Sequence, residues 1–466
     1  MIKNYFLDKQ ISISGWILII LTGALLFVFS LPHSMALRKL LFLFTFLLSC
    51  PMFWRALKEK CKPLSIVVLL ALLLQVWMLV IVGFVSEHPA AAFSEWKGQW
   101  LPVFMSLVIG IGVSDTIMQS RLRRPRTAIT MLIVIPITLF LLVNAMVMLR
   151  EMLLVGKFLP NQLGITFDKG STNYLIALLE PLLIADMLGR MVKGVRVIPV
   201  PGWAISLMLV LATFSLFATS SRNGLIILLM AFVLGAVMMI FEMRKKYALG
   251  KMVTSALATT LLVFIIALVA YKADPRWQTF TETIPIAWDI DHDLRWLHAD
   301  GTDAPITPSG STVDISQYNR IAWLHEGLRM LIQHPWGVDI SRSTFHQLEL
   351  KKFGHAEMSH SHNSWIDLGL QVGVLGLLFW GGFLLLLIKF GWQAWKAQQE
   401  PLGLALAILV VTFAIRGLLD SIFRDHVPQQ FALVAGLLLT ALLYNKPAKS
   451  AGVPVNSNLN PPPNQY

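Results

Sequence analysis

The stretch His360-Ser361-His362-Asn363-Ser364-Trp365 runs into a long apolar segment, with Gly373 and Gly376 eleven and fourteen residues beyond His362. An imidazole at a helix N-terminus is disfavoured as a cation, so it stays neutral and able to take up a proton. That is the behaviour of a general base for a weak oxygen nucleophile. Glycines so placed let neighbouring backbones come close near the top of the helix. Two other readings of these residues remain open. His362 could cap the helix, or His355, Glu357, His360 and His362 could ligate a metal, although their spacing is unlike the helical His-x-x-x-His arrangement.

Two further places suit an anion. Thr219-Ser220-Ser221-Arg222-Asn223-Gly224 is a turn leading into an apolar helix. Ser221 and Asn223 are good capping residues, the first N–H groups of a helix attract phosphate, and Arg222 adds a planar donor fork. The plainer alternative is an interfacial Arg reaching lipid headgroups. Residues 317–333 place Ile321, Leu324, Leu328, Leu331 and Ile332 at spacings of three and four, which predicts an amphipathic helix ended by His334-Pro335. At about 100° per residue Arg320 falls within roughly 20° of Leu331, at the edge of that stripe, and Arg329 falls opposite. Arg320 is therefore expected to face the packed side and to need an anionic partner, a loop carboxylate or a ligand, and Arg329 to face water. Asp289-Ile290-Asp291 contains the Asp-x-Asp of many metal-dependent sugar transferases but reads as an acidic surface run. Asp186 with Arg190, and Arg416 with Asp420, are spaced as i,i+4 pairs inside apolar segments, whereas Glu180 has no such neighbour and could line a cavity.

These residues have to be held by membrane helices. The chain has 466 residues, 56% of them hydrophobic and 14% charged, with mean hydropathy +0.67, which excludes a soluble enzyme. Apolar windows long enough to span a bilayer fall near 12–31, 36–54, 64–84, 98–118, 127–149, 172–192, 199–219, 223–242, 252–271, 363–388, 402–423 and 429–445. The fold expected is an all-α integral membrane protein of about twelve transmembrane helices, divided as 1–271 (nine helices), 272–362 (a large, partly helical external loop module), 363–445 (three helices) and 446–466 (a disordered inner tail). Lys and Arg favour the segments on the side of the two termini, which puts both termini inside. A cleaved signal peptide is rejected for the first span, because its apolar run is too long and its loss would invert that bias. Cys50 and Cys61 sit beside the basic run on the reducing side, so neither a disulfide framework nor a Cys-based metal site is expected. The external loop holds eight of the eleven histidines and is net negative, so the formal charge of +12 belongs to the inner face and to orientation. A nucleic-acid partner loses its support. A twelve-span transporter or flippase would be expected to carry midplane charges and two similar halves, whereas here the distinctive residues cluster at the external face and the large loop lies late in the chain.

In combination these features resemble the O-antigen ligase and polymerase superfamily of bacterial envelope glycosyltransferases. The resemblance rests on His362, Asn363, Gly373 and Gly376, which fit His, then Asn/Ser/Gln, then nine residues, then Gly-x-x-Gly. It rests also on an external Arg before a membrane helix, Arg222, and on a second Arg on a loop helix ahead of a His-Pro turn, Arg320. The resemblance implies a Gram-negative inner-membrane protein with its site on the periplasmic side. It would move O-antigen from undecaprenyl diphosphate to the core sugar of lipid A with inversion, using His362 as base and Arg222 and Arg320 to hold the diphosphate. Ser221, Asn223, Asn363, Gly373 and Gly376 would support them; no cofactor and no metal is required, and membrane lipids are the other partners. An O-antigen polymerase or a protein-glycosylating ligase of the same superfamily shares the donor chemistry and is the alternative. The acidic stretch Asp289 to Asp314 looks like an insertion relative to the family.

Overall fold

The computed structural model describes residues 11–59, 62–157, 161–166, 168–243, 279–298, 303–398 and 400–444. Among them the regular structure is helical apart from one antiparallel bridge between Ile306 and Thr312. The first half contains α1 (Ile13–Val28), α2 (Met35–Glu59), α3 (Lys62–Phe84), α4 (Pro89–Glu95), α5 (Leu101–Gln119), α6 (Pro125–Val155), α7 (Lys169–Leu188), α8 (Gly202–Ala218) and α9 (Arg222–Met243). The second contains α10 (Phe280–Trp288), α11 (Ile315–Gln333), α12 (Thr344–Phe353), α13 (Ser364–Gln398), α14 (Pro401–Leu419) and α15 (Val427–Leu443). Proline opens α4, α6 and α14, where its missing N–H has no helical partner to lose.

This is a helical membrane protein. Among the described residues six helices are long and apolar enough to cross a bilayer: α2, α3, the joined α4–α5, α6, α13 and α14. Four shorter apolar helices, α1, α8, the 222–238 part of α9, and α15, accompany them. A helix coincides with each expected span except the one at 252–271, which lies outside the described residues, as do the tail 446–466 and Cys61. The centre is α5 against α15, where backbones touch: a Cβ on Gly436 would stand 2.9 Å from the Leu107 carbonyl oxygen. By contrast α2 leaves Leu40, Leu43 and Leu47 exposed along one side, as a lipid-facing helix does.

The two expected intramembrane ion pairs differ in outcome. Asp186 does pair with Arg190 and also accepts from the Val197 and Ile198 N–H groups at 2.7 and 2.8 Å. Arg416 and Asp420 do not pair. The helix stops at Leu419 and Asp420 takes an extended conformation (φ −161°, ψ 156°), so the i,i+4 geometry of a continuous helix is lost, although the Arg416 charge still acts on the carboxylate. Arg416 instead donates to the Asn173 carbonyl oxygen at 3.1 Å and stacks over the Tyr174 ring. Glu180 is buried, and the cation whose charge it faces is Arg416.

α13 is broken at Gly373 (φ 63°, ψ −171°), a conformation essentially restricted to glycine. The 334–337 turn that follows α11 packs into the break. A helix would join the Val374 N–H to the Leu370 carbonyl; here Val374 donates to the Pro335 oxygen at 2.8 Å, and the Leu370 oxygen accepts from Val338 N–H at 2.8 Å. Both groups freed by the kink are therefore satisfied by the turn, as buried backbone requires. A Cβ at Gly373 would also meet the Pro335 oxygen at 2.5 Å, so conformation and space make the same demand.

Residues 279–298 and 303–362 form a module with its own core of Ala287, Ile290, Trp296, Tyr318, Ala322, Trp323, Met330 and Phe345, joined by Ile366 and Leu370 of α13. The α11 helix is present as expected, and Ile321, Leu324 and Leu331 of the expected stripe pack against the module core, but they are only partly buried and the most buried face is another one. Leu328 and Ile332 are 43% and 82% exposed, while Tyr318, Asn319, Ala322, Trp323, Glu326, Gly327 and Met330 are buried. The buried face is built from aromatic, small and polar residues, which a hydrophobic wheel underweights against leucine and isoleucine. Arg329 is correspondingly not free in water: it makes two bonds to the Asp291 carboxylate at 2.7 and 2.9 Å.

Candidate active site

His362 occupies the residue before a tightly capped helix start. Asn363 Oδ1 accepts from the Trp365 and Ile366 N–H groups at 3.0 and 3.2 Å, so Asn363, and not His362, is the cap. His362 has positive φ (54°), uncommon for a residue with a side chain. Flanking bonds hold it there: Ser361 Oγ donates to Asp367 Oδ1 at 2.7 Å and accepts from the Asn363 N–H at 3.2 Å. The imidazole stacks on Trp323 of α11 (5.5 Å between ring centres) and touches the His360 ring (4.3 Å).

The end of α14 is where separate parts of the chain meet. Asn363 Nδ2 donates to the Leu418 oxygen at 3.3 Å, and Ser364 Oγ donates to the Asp420 oxygen at 2.7 Å while accepting from Ile422 N–H at 2.6 Å. From the other side Asn223 Nδ2 donates to the Leu419 oxygen at 3.4 Å. The turn carrying Arg222 and the turn carrying His362 are thereby tied to adjoining residues of one segment. Ser221 Oγ accepts from Gly224 N–H at 3.2 Å and from Asn173 Nδ2, which fixes the start of α9 with Arg222 as its first residue.

Asp420 Oδ1 lies 3.7 Å from His362 Nδ1, in ion-pair range and longer than a direct hydrogen bond. Burial pushes the Asp420 carboxyl up, but the charges of His362, Arg416 and Arg320 outweigh it and hold the group below the usual carboxylate range. Arg320 is thus near enough to act on the carboxylate beside His362. His360 is pushed down to about 3, first by burial and then by His362 and Arg424, so it is neutral at physiological pH. A cavity of about 750 Å³ adjoins the site and is lined in part by His360, Asp420, Arg424, Arg342 and Arg38.

The structure thus brings Ser221, Arg222, Asn223, His362 and Asn363 to one end of α14 and sets Arg320 within electrostatic reach of it. Gly373 and Gly376 lie further along α13: Gly373 takes the 334–337 turn, and Gly376 leaves room for Trp77, whose indole N–H donates to the Val372 oxygen at 2.7 Å. Ser361, Ser364, Asp367, Asp420 and Ser421 were not foreseen as site residues. Ser361, Ser364 and Asp367 sit within six residues of His362, and their density of hydroxyl and carboxylate groups was a usable signal; Asp420 had none beyond its place at a helix end. The four-residue metal alternative does not form, since the His360 and His362 rings contact each other at a tilt while His355 and Glu357 meet His298. Asp289 and Asp291 are occupied by His292 and Arg329, respectively.

Residues 207–381 match the family model described as O-antigen ligase. The match covers over a third of the chain and contains Ser221, Arg222, Asn223, Arg320, His362, Asn363, Gly373 and Gly376, but ends before Asp420. No curated protein matches the chain. The matched segment carries Arg222, Arg320 and His362, so the likeness of this chain to O-antigen ligases extends over residues 207–381.

Proposed function

We propose that the protein is a membrane glycosyltransferase that moves O-antigen polysaccharide from undecaprenyl diphosphate to a core sugar of lipid A on the periplasmic side of the inner membrane. The observation that carries this reading is the junction at α14: the turns bearing Arg222 and His362 are tied to Leu418, Leu419 and Asp420, with Arg320 acting on the same carboxylate. The family match supports a transferase of the ligase or polymerase type.

The chemistry follows from what must be made and broken. A sugar hydroxyl of the acceptor gives its proton to His362 as its oxygen bonds to the anomeric carbon of the donor. A proton on Nδ1, on the Asp420 side, leaves Nε2 to act as the base and lets the carboxylate stabilise the imidazolium that forms. The bond from the anomeric carbon to the diphosphate breaks with inversion, and the developing charge falls on Arg222 and Arg320, whose planar forks fit phosphate oxygens. The donor travels on a polyprenyl chain, which accounts for a site where membrane helices meet an external module.

The test is reconstitution. Purified protein with undecaprenyl-diphosphate-linked glycan and rough lipopolysaccharide should yield a ladder of glycan on lipid A-core. Longer lipid-linked glycan made with no lipopolysaccharide present would instead identify a polymerase, and no transfer to either acceptor would overturn the reading.

A further inference from the structure

We propose that the external module carries a divalent-metal site, with zinc as the natural occupant, formed by His298, His355 and Glu357 and separate from the residues assigned to transfer. His298 Nδ1 lies 3.2 Å from Glu357 Oε1, and His355 Nε2 lies 3.3 Å from the same oxygen. Both separations are hydrogen-bond distances, and a tetrahedral ion with bonds of about 2.0–2.1 Å has ligand atoms about 3.3–3.4 Å apart, so an ion could replace these contacts with little movement. The two imidazole rings are 4.9 Å apart, and the three ligand atoms all lie within 4.8 Å of one another. Two imidazole nitrogens and a carboxylate oxygen form a borderline donor set that suits zinc and leaves a fourth position to water.

Both arms of the cluster are held by neighbours independent of any ion. His298 follows the short Arg295–Leu297 turn, and its carbonyl oxygen accepts from Asn319 Nδ2 at 3.2 Å. His355 follows Gly354, whose positive φ (70°) ends α12. Trp296 and Phe353, two residues before each histidine, meet edge to face at 5.3 Å. An ion here would clip the 295–298 turn to the irregular segment that continues into His360 and His362. It would act on the stability of the module and not on the transferred group.

The full chain, purified in detergent and stripped with a chelator, is titrated with Zn²⁺ alone. One ion should bind, raising Tm. His298→Ala, His355→Ala and Glu357→Gln should each weaken binding by about tenfold or more, since even outer-shell partners are worth about 10–100-fold. His292→Ala, which removes an exposed histidine paired with Asp289, should bind as the parent does. In the unaltered protein bound Co²⁺ should give the intense visible absorption of a tetrahedral site, a readout that survives even if a variant fails to fold. Absence of Zn²⁺ binding, equal binding by the parent and His298→Ala, or a weak octahedral Co²⁺ spectrum would overturn the proposal. Donor binding and transfer measured in the same stripped sample are expected to persist, so failure of the metal site and failure of the transferase reading are separable.

Discussion

At the scale of single residues, the proposed roles divide into a base, its carboxylate and the cations. His362→Ala should fold, still bind lipid-linked donor and lose roughly 10²–10⁴-fold in transfer, the usual worth of a general base. Asp420→Asn keeps shape but removes the charge facing Nδ1; transfer should fall by up to about that same 10²–10⁴-fold factor with donor binding intact. Donor binding measured beside turnover checks both, and near-normal turnover by either variant removes it from the mechanism. Arg222→Ala and Arg320→Ala should weaken donor binding as well as transfer, with Lys rescuing only partly because it lacks the two-pronged fork. Arg329→Ala is the comparison: it removes the bonds to exposed Asp291 and a 3.7 Å ion pair with buried Glu326, so its cost should fall on module stability while donor binding and transfer survive. The place of His362 and Asn363 at a helix start was legible in sequence, because that signal is local. In sequence Asp420 looks like half of an i,i+4 pair with Arg416; only the end of α14 shows that the helix stops before it and that its carboxylate lies 3.7 Å from a histidine 58 residues earlier.

At the scale of elements, α11 and α13 carry the arrangement. The existence of α11 and its stop at His334-Pro335 followed from periodicity and a helix breaker, but its orientation did not. Trp323, which stacks on His362, lies on the face that a leucine-weighted wheel assigns to solvent. Gly373→Ala should cost at least about 1–3 kcal/mol from its backbone conformation alone, before the clash with the 334–337 turn. Thermal unfolding of the detergent-solubilised variant measures it, and an unchanged Tm would show that α13 can straighten. Beneath the same module, Glu349 of α12 is buried next to Glu326 and is pushed up to about 8, by burial first and then by that neighbouring carboxylate. The folded state therefore holds a proton that an unfolded Glu, near 4.3, gives up as pH rises. Its contribution to stability is full below about pH 4 and is lost as pH climbs through about 8. Module Tm should accordingly fall between pH 5 and 8, and Glu349→Gln should flatten that dependence.

At the scale of the whole molecule, composition alone supplied a helical membrane protein, because an average of 56% hydrophobic residues leaves few other solutions. The positions of the helices followed closely from apolar windows, since a bilayer imposes a length as well as a hydropathy. Tertiary pairings such as Arg55 with Asp115 on α5, at 2.6 Å, join residues sixty positions apart and leave no periodic trace in sequence. Orientation remains a prediction from charge: residues 279–362 on the periplasmic side and the termini on the cytoplasmic side. Cysteines placed in the 289–293 turn should react with an impermeant reagent added from outside, and labelling only from the cytoplasmic side would overturn the site assignment along with the topology. Transfer should also survive EDTA, because the proposed leaving-group charge is met by two guanidinium groups; loss restored by Mg²⁺ or Mn²⁺ would shift the mechanism to a metal.

The exchange of backbone partners at Gly373 bears on what can be transplanted between relatives. In most membrane proteins an external domain can be swapped at its two connecting strands, because each helix completes its own ladder. Here α13 does not: one donor and one acceptor of its outer turns are completed by Pro335 and Val338, which lie 39 and 36 positions upstream of Val374 in the chain. A chimera that replaces the module but keeps α13 must therefore import a turn of matching shape at 334–338 together with the glycine opposite it. Otherwise a membrane helix is left with two unanswered polar groups at the bilayer edge.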